Sequence, residues 1–502
     1  MIRTNPKRAL KFSYLLSGLV KVTLTSVMTV LMINLIIGCA PPAMQMLTPP
    51  PITPSSQPTS VLQLQQDEIK PMYRELLPVD LPTVVRVVMA RNIDIQQARQ
   101  RVEASLGRYE SNVQSLLPVI VPSFLFQHVD GVNLNASGTL AFTNFNSIFP
   151  SISAQWILNP GKVMYDIVAS RRRLEAAGQQ EYAVKLDALR QAGNQYFELV
   201  LAQAHVSAAR QAATEATEAL RLTKIRAQAG TVLAADETRA KAVAAGRKQD
   251  LLIAINSFYQ ASLALCSTLQ LDPVVTLVPG PEQISQTTLV TESLTIESLL
   301  SLALKFRPDL QSARTLLSSV DADKGAVAWG GLGPQLQASG TIGALGSEVN
   351  GHGFRPHETE RAAASAGFSL GLSTFGQIKV ANANLRSAVL DVEQKMEQVR
   401  VQVVSAQQNS QTHAALIPLA REQVESAQEA LRLAESNLKA GTMLLLDILQ
   451  ADDQLNVARL RYATAVVRYN QSQVNLLSAI GLINPETLFP NMKPATTQPK
   501  DN

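Results

Sequence analysis

Cysteine is nearly absent from this 502-residue chain: only Cys39 and Cys266 occur. Two cysteines build no disulfide framework and no zinc site. Cys266 sits in the apolar run LALC, where a thiol behaves as a small core side chain. Acidic residues are missing from positions 1–38, which hold Arg3, Lys7, Arg8, Lys11 and Lys21. Removing those five cations from 44 basic residues leaves 39 against 40 acidic ones, so the remainder is close to neutral. The formal charge of +4 therefore points to an export signal and not to nucleic acid. No basic patch with interleaved aromatics occurs downstream. A catalytic constellation is missing too. The five histidines, His128, His205, His352, His357 and His413, are dispersed without metal-ligand spacing. The expectation is no enzyme, no cofactor and no metal.

What is present begins with the amino terminus. A cationic stretch is followed by an apolar run, Val22–Ile37, of a length that suits a secretory signal core better than a membrane span. It ends in Ile36-Ile37-Gly38-Cys39, which resembles a bacterial lipobox. The resemblance implies acylation of Cys39, and Ala40 after it favours the outer membrane over the inner. An uncleaved signal anchor is the alternative. The segment PPPITPSSQPT that follows is an extended, Pro-rich tether. Asp80-Leu81-Pro82-Thr83 has the pattern of a helix start, with Pro where its missing N–H costs least.

From there the chain reads twice. LRLTKIRAQAGTVLAAD at 220–236 recurs as LRLAESNLKAGTMLLLD at 431–447, sharing Ala-Gly-Thr and a closing Asp. Asn92-Ile93-Asp94-Ile95 matches Arg307-Pro308-Asp309-Leu310, each breaking one helix before the next, and each segment runs to a proline, Pro118 or Pro334. The reading is: signal, 1–38; tether, 39–80; first repeat, 81–272; linker, 273–291; second repeat, 292–482; tail, 483–502.

Beyond each proline the period changes to two. Leu336, Ala338, Gly340, Ile342 and Ala344 alternate with small polar residues, as do Ala366, Phe368, Leu370 and Leu372. Ile152, Ala154 and Trp156 do so in the first half, with a weaker start at Phe124 and Phe126. One apolar and one small-polar face marks a strand between lipid and water, or a soluble half-buried sheet. Each half supplies two strands joined by a polar loop, near 128–138 and 346–363. His352, His357, Glu358 and Glu360 fall in the second loop.

Helical periodicity then returns over long distances. Tyr182, Leu186, Leu189, Gly193, Tyr196 and Val200 step by four and three, as do Val389 to Val403 and Leu455 to Leu476. This is the coiled-coil seam. The long helices, 162–228 and 378–439, span about 100 Å each. The return helices, 235–271 and 446–480, reach about half as far, and helices near 83–117 and 294–328 stack end-on to complete them.

Four strands cannot line a bilayer alone, because an open sheet leaves unpaired edges in hydrocarbon. Two copies give a barrel filled by its own side chains; three give twelve strands and an aqueous lumen. At this point the duplicated order, the Arg307–Leu310 RPDL motif and the Ala-Gly-Thr…Asp tips together resemble the TolC-type outer-membrane efflux channels, over roughly 75–482. The resemblance implies a mainly α fold with a membrane β part: a long α-helical hairpin barrel continuous with an oligomeric transmembrane β-barrel, four strands per chain. It further implies a homotrimer in outer-membrane lipid, docked through a periplasmic adaptor (membrane fusion) protein onto an inner-membrane pump. It places a gate at the tips, with Asp447 as a constricting acid, Asp236 as a gating contact, and Gly230-Thr231 and Gly441-Thr442 as the turns. Both glycines are expected to take positive φ. Both acids could instead serve only as caps of the return helices.

The chain departs from the family pattern at several points. Asn159-Pro160-Gly161-Lys162 and Phe375-Gly376-Gln377-Ile378 replace its aspartate, glycine pair and arginine, so single glycines are expected to make the strand-to-helix turns. Gln450 stands where a second ring acid is usual, with Asp452 and Asp453 just beyond, and Met443 where a basic lock is usual. Arg226 and Lys439 are candidate replacements for that lock. The expected function is a passive tripartite-efflux conduit. The alternatives are the outer-membrane component of type I protein secretion, or a lipid-tethered periplasmic coiled-coil scaffold.

Overall fold

In a computed structural model, the described residues are 76–134, 137–230, 232–280, 286–290, 294–349, 355–368, 371–439, 445–484 and 487. The tip residues Thr231, Gly441, Thr442 and Met443, together with Cys39 and His352, lie outside them.

The order is β1 (Leu76–Val79), α1 (Leu81–Arg91), α2 (Ile93–Gln114), β2 (Val119–Leu134), β3 (Leu140–Leu158), α3 (Pro160–Gln228) and α4 (Ala234–Leu269). The second half repeats it: β4 (Thr276–Pro279), α5 (Ile296–Phe306), α6 (Pro308–Leu332), β5 (Pro334–Val349), β6 (Arg355–Phe368), α7 (Ser373–Lys439) and α8 (Leu445–Ala479). Local chemistry explains the starts and stops. Asp80 caps α1 by accepting from the Thr83 N–H at 2.9 Å, with Pro in the first turn. Asn92 ends α1 and caps α2, accepting from Ile95 N–H at 3.2 Å while its own amide donates to Thr268 O at 3.3 Å. Arg307 with Pro308 makes the equivalent break between α5 and α6.

β2, β3, β5 and β6 form one antiparallel four-stranded sheet in that order, with β2 and β6 at its edges. Its register puts the apolar series on a common face: Pro122 opposes Ile152, Ile152 opposes Ile342, and Trp156 opposes Ala338, which opposes Ala364. The other face carries Ser123, Ser153, Thr341 and Ser365. There the Ser123 and Ser151 hydroxyls hydrogen-bond at 2.8 Å.

The strand limits need correction. β2 runs on to Leu134 and β6 begins at Arg355, so most of 128–138 and the second half of 346–363 are strand. His357, Glu358 and Glu360 stand on β6 and not in a loop. Leu372 lies past β6, and Gly376 lies inside α7. The polar residues of β6 hid its start, and Leu370 lies outside the described residues. The turn into α3 is also made differently from expectation. Asn159 accepts from Lys162 N–H at 3.0 Å and donates to Trp329 O at 2.9 Å, with Pro160 opening the helix. Gly161 serves close packing: a Cβ there would stand less than 3.0 Å from the Trp329 ring.

α3 has 69 residues, about 100 Å of helix. α2 and α6 pack along its first part, with Arg99 of α2 3.5 Å from Glu181 and Ser312 of α6 donating to Ala176 O at 2.9 Å; α4 packs along its last part. The α7–α8 hairpin repeats the arrangement. Two cores sit where the short helices meet the hairpins. One joins Val85, Leu189, Leu299, Val399, Val403 and Ile480; the other joins Val84, Ile95, Tyr196, Leu199, Leu265 and Leu277. Cys266 lies buried in the second, and burial pushes its thiol pKa up, as suits a quiet core residue. β1 and β4 form a parallel pair beside this core, with Val79 N-terminal to α1 and Gly280 N–H donating to Val79 O at 3.0 Å. β1 falls at the end of the stretch read as tether and β4 in the stretch read as linker. Four-residue strands carry too little alternation to be read from sequence.

Candidate functional site at the hairpin tips

At the first tip α3 ends with an ordinary helical bond, Ala229 N–H to Ile225 O, and a tightening one, Gly230 N–H to Ala227 O, both 3.0 Å. Gly230 takes φ +72°, a left-handed conformation that ends a helix without a Cβ penalty. α4 starts with Leu233 as its N-cap and no side-chain cap. Asp236 and Glu237 occupy its first turn, where exposed backbone N–H groups favour negative charge. Asp236 is 3.7 Å from Arg239 and close to half exposed, which makes it a weak surface pair. Arg226 stands in the last turn of α3, where the helix end favours a cation.

At the second tip Asp447 lies in the first turn of α8 and is half-buried. α4 and α8 both pack on α3, so the two acids begin helices that share it as a neighbour. A cavity of about 530 Å³ opens between these three helices, lined by alanines of α3 with His205, Arg247, Asp250 and Asp453. Arg247 of α4 bridges to Asp453 of α8 at 2.6 Å. Sequence reading placed Asp453 near the tip but gave no sign of its partner, which lies on the other hairpin.

The histidines stay apart. His128 bonds Asn146 at 2.8 Å, and His205 lines the cavity. His413 is held below its ordinary pKa by burial and by Arg468. No group of three metal-binding side chains occurs among the described residues.

Comparison with known proteins places this architecture. A curated relative, Nodulation protein T of Rhizobium leguminosarum bv. trifolii, is 26% identical over 421 residues, covering 80% of this chain and 85% of its own length. The Campylobacter jejuni CmeC outer membrane channel superposes with a TM-score of 0.68 at 19% identity, covering 80% of this chain and 85% of that one. The Neisseria gonorrhoeae MtrE outer membrane channel, in its open state, superposes with a TM-score of 0.64 at 20% identity, covering 80% and 89%. The outer membrane efflux protein family model matches residues 84–269 and 299–482, one span in each half, and this chain belongs to that family.

Proposed function

We propose that the chain is the outer-membrane channel of a tripartite efflux system: a passive trimeric conduit from periplasm to exterior, gated at its helical tips. One observation carries the reading. The four-stranded sheet has an apolar and a polar face, ends in two unpaired edges, and continues directly into helices about 100 Å long. In a bilayer those edges must close, and three copies close them into twelve strands around water.

The helices favour the same assembly. α4 is long and apolar enough to cross a membrane by length and composition, yet it packs along α3 and leaves Leu252 and Ile253 exposed in the single chain. α7 likewise exposes Leu390, Val401 and Leu419. Neighbouring copies would cover both faces. The lipobox-like Cys39 supplies a lipid anchor, and a periplasmic adaptor with an inner-membrane pump supplies the energy. Asp447 from three copies would make an acidic ring favouring cations, with Asp236 as its outer contact.

The test is conductance of the full-length protein in planar bilayers. An ion-conducting pore, with block by cations weakened in Asp447→Asn, is the expected result. Protein that inserts yet never conducts, even with the tips loosened by substitution, would rule the reading out.

A further inference from the structure

The match between the two halves extends beyond the tips. With Leu220 set on Leu431 and no gaps, Leu265, Cys266 and Leu269 fall on Leu476, Leu477 and Ile480, and all six are buried. On the long helices, Ala188, Ala192, Tyr196 and Leu199 of α3 fall on Val399, Val403, Gln407 and Ser410 of α7, again all buried. Carried on toward the C-terminus, the same alignment sets Thr276-Leu277-Val278-Pro279, the whole of β4, on Thr487-Leu488-Phe489-Pro490. Only Val278 and Phe489 differ.

In the first half, β4 closes the core. Leu277 is fully buried in one cluster with Tyr196, Leu199 and Leu265, and its N–H donates to Ser262 Oγ at 2.8 Å. The counterparts of those four residues are Gln407, Ser410, Leu476 and Gln473. Together they line a cavity of about 360 Å³, which Val290 and Leu299 complete with apolar walls. Tyr196 and Leu199 fill their site, whereas the smaller Gln407 and Ser410 leave this one open.

One acceptor in the cavity is unmet. Gln473 Oε1 accepts from the Leu289 and Val290 N–H groups at 3.0 and 2.9 Å, and its amide donates to Ser410 Oγ at 2.7 Å. Gln407 is 9% exposed, and its Oε1 is buried without a donor. Leaving such a group unsatisfied costs free energy that an arriving N–H would recover. The chain also ends its described course nearby. Leu482 packs on the core that holds Leu476, and Thr487 is tied back to Leu482 O at 3.0 Å and to Asn484 Oδ1 at 2.6 Å. Leu488, Phe489 and Pro490 follow directly and lie outside the described residues.

We propose that Leu488–Pro490 docks in this cavity as the counterpart of β4. The Leu488 side chain lies against Leu476, and a backbone N–H of the segment donates to Gln407 Oε1. Gln473 is already taken by the linker, so Gln407 is the acceptor left for the segment. The stretch read from sequence as a tail then closes the second core as β4 closes the first. The inference concerns a single chain and stands apart from the channel reading.

Two measurements on the full-length protein test it. Phe489→Cys paired with Ala414→Cys or Ala415→Cys, both on the cavity wall, should form a disulfide within one chain. Lys493→Cys paired with either should not. Peptide mapping separates these products from Cys39 and Cys266. The second measurement is the maleimide reactivity of Ser410→Cys, which should be slow in the full chain. It should rise about tenfold or more in a chain stopped after Thr487, and in full-length Leu488→Asp, whose charge an apolar cavity rejects. Cys266, buried in the first core, is the internal control and should stay unreactive. Absence of the disulfide, or its formation between chains, overturns the docking. So does Ser410→Cys reactivity that ignores the segment, or that rises only together with Cys266. Fast reaction in the full chain that cyclohexanol slows would assign the cavity to a small amphiphile instead and overturn the proposal.

Discussion

Arg307 and Asp309 face each other across Pro308 in a two-point ion pair, with nitrogen–oxygen distances of 3.0 and 2.7 Å and side chains 13% and 15% exposed. Lys395 of α7 reaches the same carboxylate at 3.1 Å, and Arg307 also donates to Gln402 at 2.6 Å. The second helix break is thereby fastened to the second hairpin. Burial raises the Asp309 pKa, but hydrogen bonds and charge from Arg307 and then Lys395 outweigh it and hold the carboxyl below its usual value.

Asp309→Asn leaves Arg307 and Lys395 without their anion, and breaking a buried pair of this kind costs about 3 kcal/mol. A depressed carboxylate pKa contributes stability that is present above the unfolded value and lost as pH falls through the folded one. Thermal melts should show the variant well below wild type at pH 7. The gap should shrink as the pH drops below the ordinary carboxylate range, because the wild type alone loses this contribution. A constant gap at all pH values would contradict the assignment.

At the base of the sheet, α3 and α6 exchange glycines for aromatic rings. Trp329 covers Gly161, and Tyr165 covers Gly325, where a Cβ would approach the Tyr165 ring to 2.6 Å. Gly161→Ala should cost about 1–3 kcal/mol through overpacking. Adding Trp329→Ala should recover part of that loss, because the clash disappears. Melting of the single and double variants checks this. A double variant that loses the sum of both costs would show that the two residues do not share the site.

The faces of the sheet make opposite predictions for adjacent residues. Ile152→Arg puts a charge on the apolar face and should cost about 2–4 kcal/mol in lipid. Ser153→Arg, one residue on, should insert normally and change ion selectivity. Insertion into vesicles and conductance of each variant distinguish the faces. Equal tolerance of both substitutions would indicate a sheet that never meets lipid.

Edge closure is testable by cross-linking. Within one chain Phe126 lies on β2 and Ala362, Ala364 and Ala366 on β6, with β3 and β5 between them, too far apart for a disulfide. Cysteine at Phe126 paired with one at these same-face alanines should yield covalent species up to three chains and no further. Cross-links that stop at two chains would point to an eight-stranded barrel.

Much of this was legible in the sequence because the chain says most things twice. The hairpins, the helix breaks at Asn92 and Arg307 and the two strand pairs follow from periodicity and from capping chemistry. β6 was misplaced because Glu358 and Glu360 share a face with Ala362 and Ala364, so composition masked the alternation. The Arg247–Asp453 bridge was not legible at all. Sequence places each residue on a helix, but only the packing of α4 and α8 on α3 brings them together.

The β1–β4 pair has a mechanical consequence. Leu76–Val79 lies parallel to Thr276–Pro279, so tension on the chain ahead of Leu76 pulls along the ladder. Its backbone bonds are then strained together in shear and not peeled one by one. The force is delivered to the waist of the molecule, at the core around Leu277 and Val84, and bypasses both the sheet and the tips.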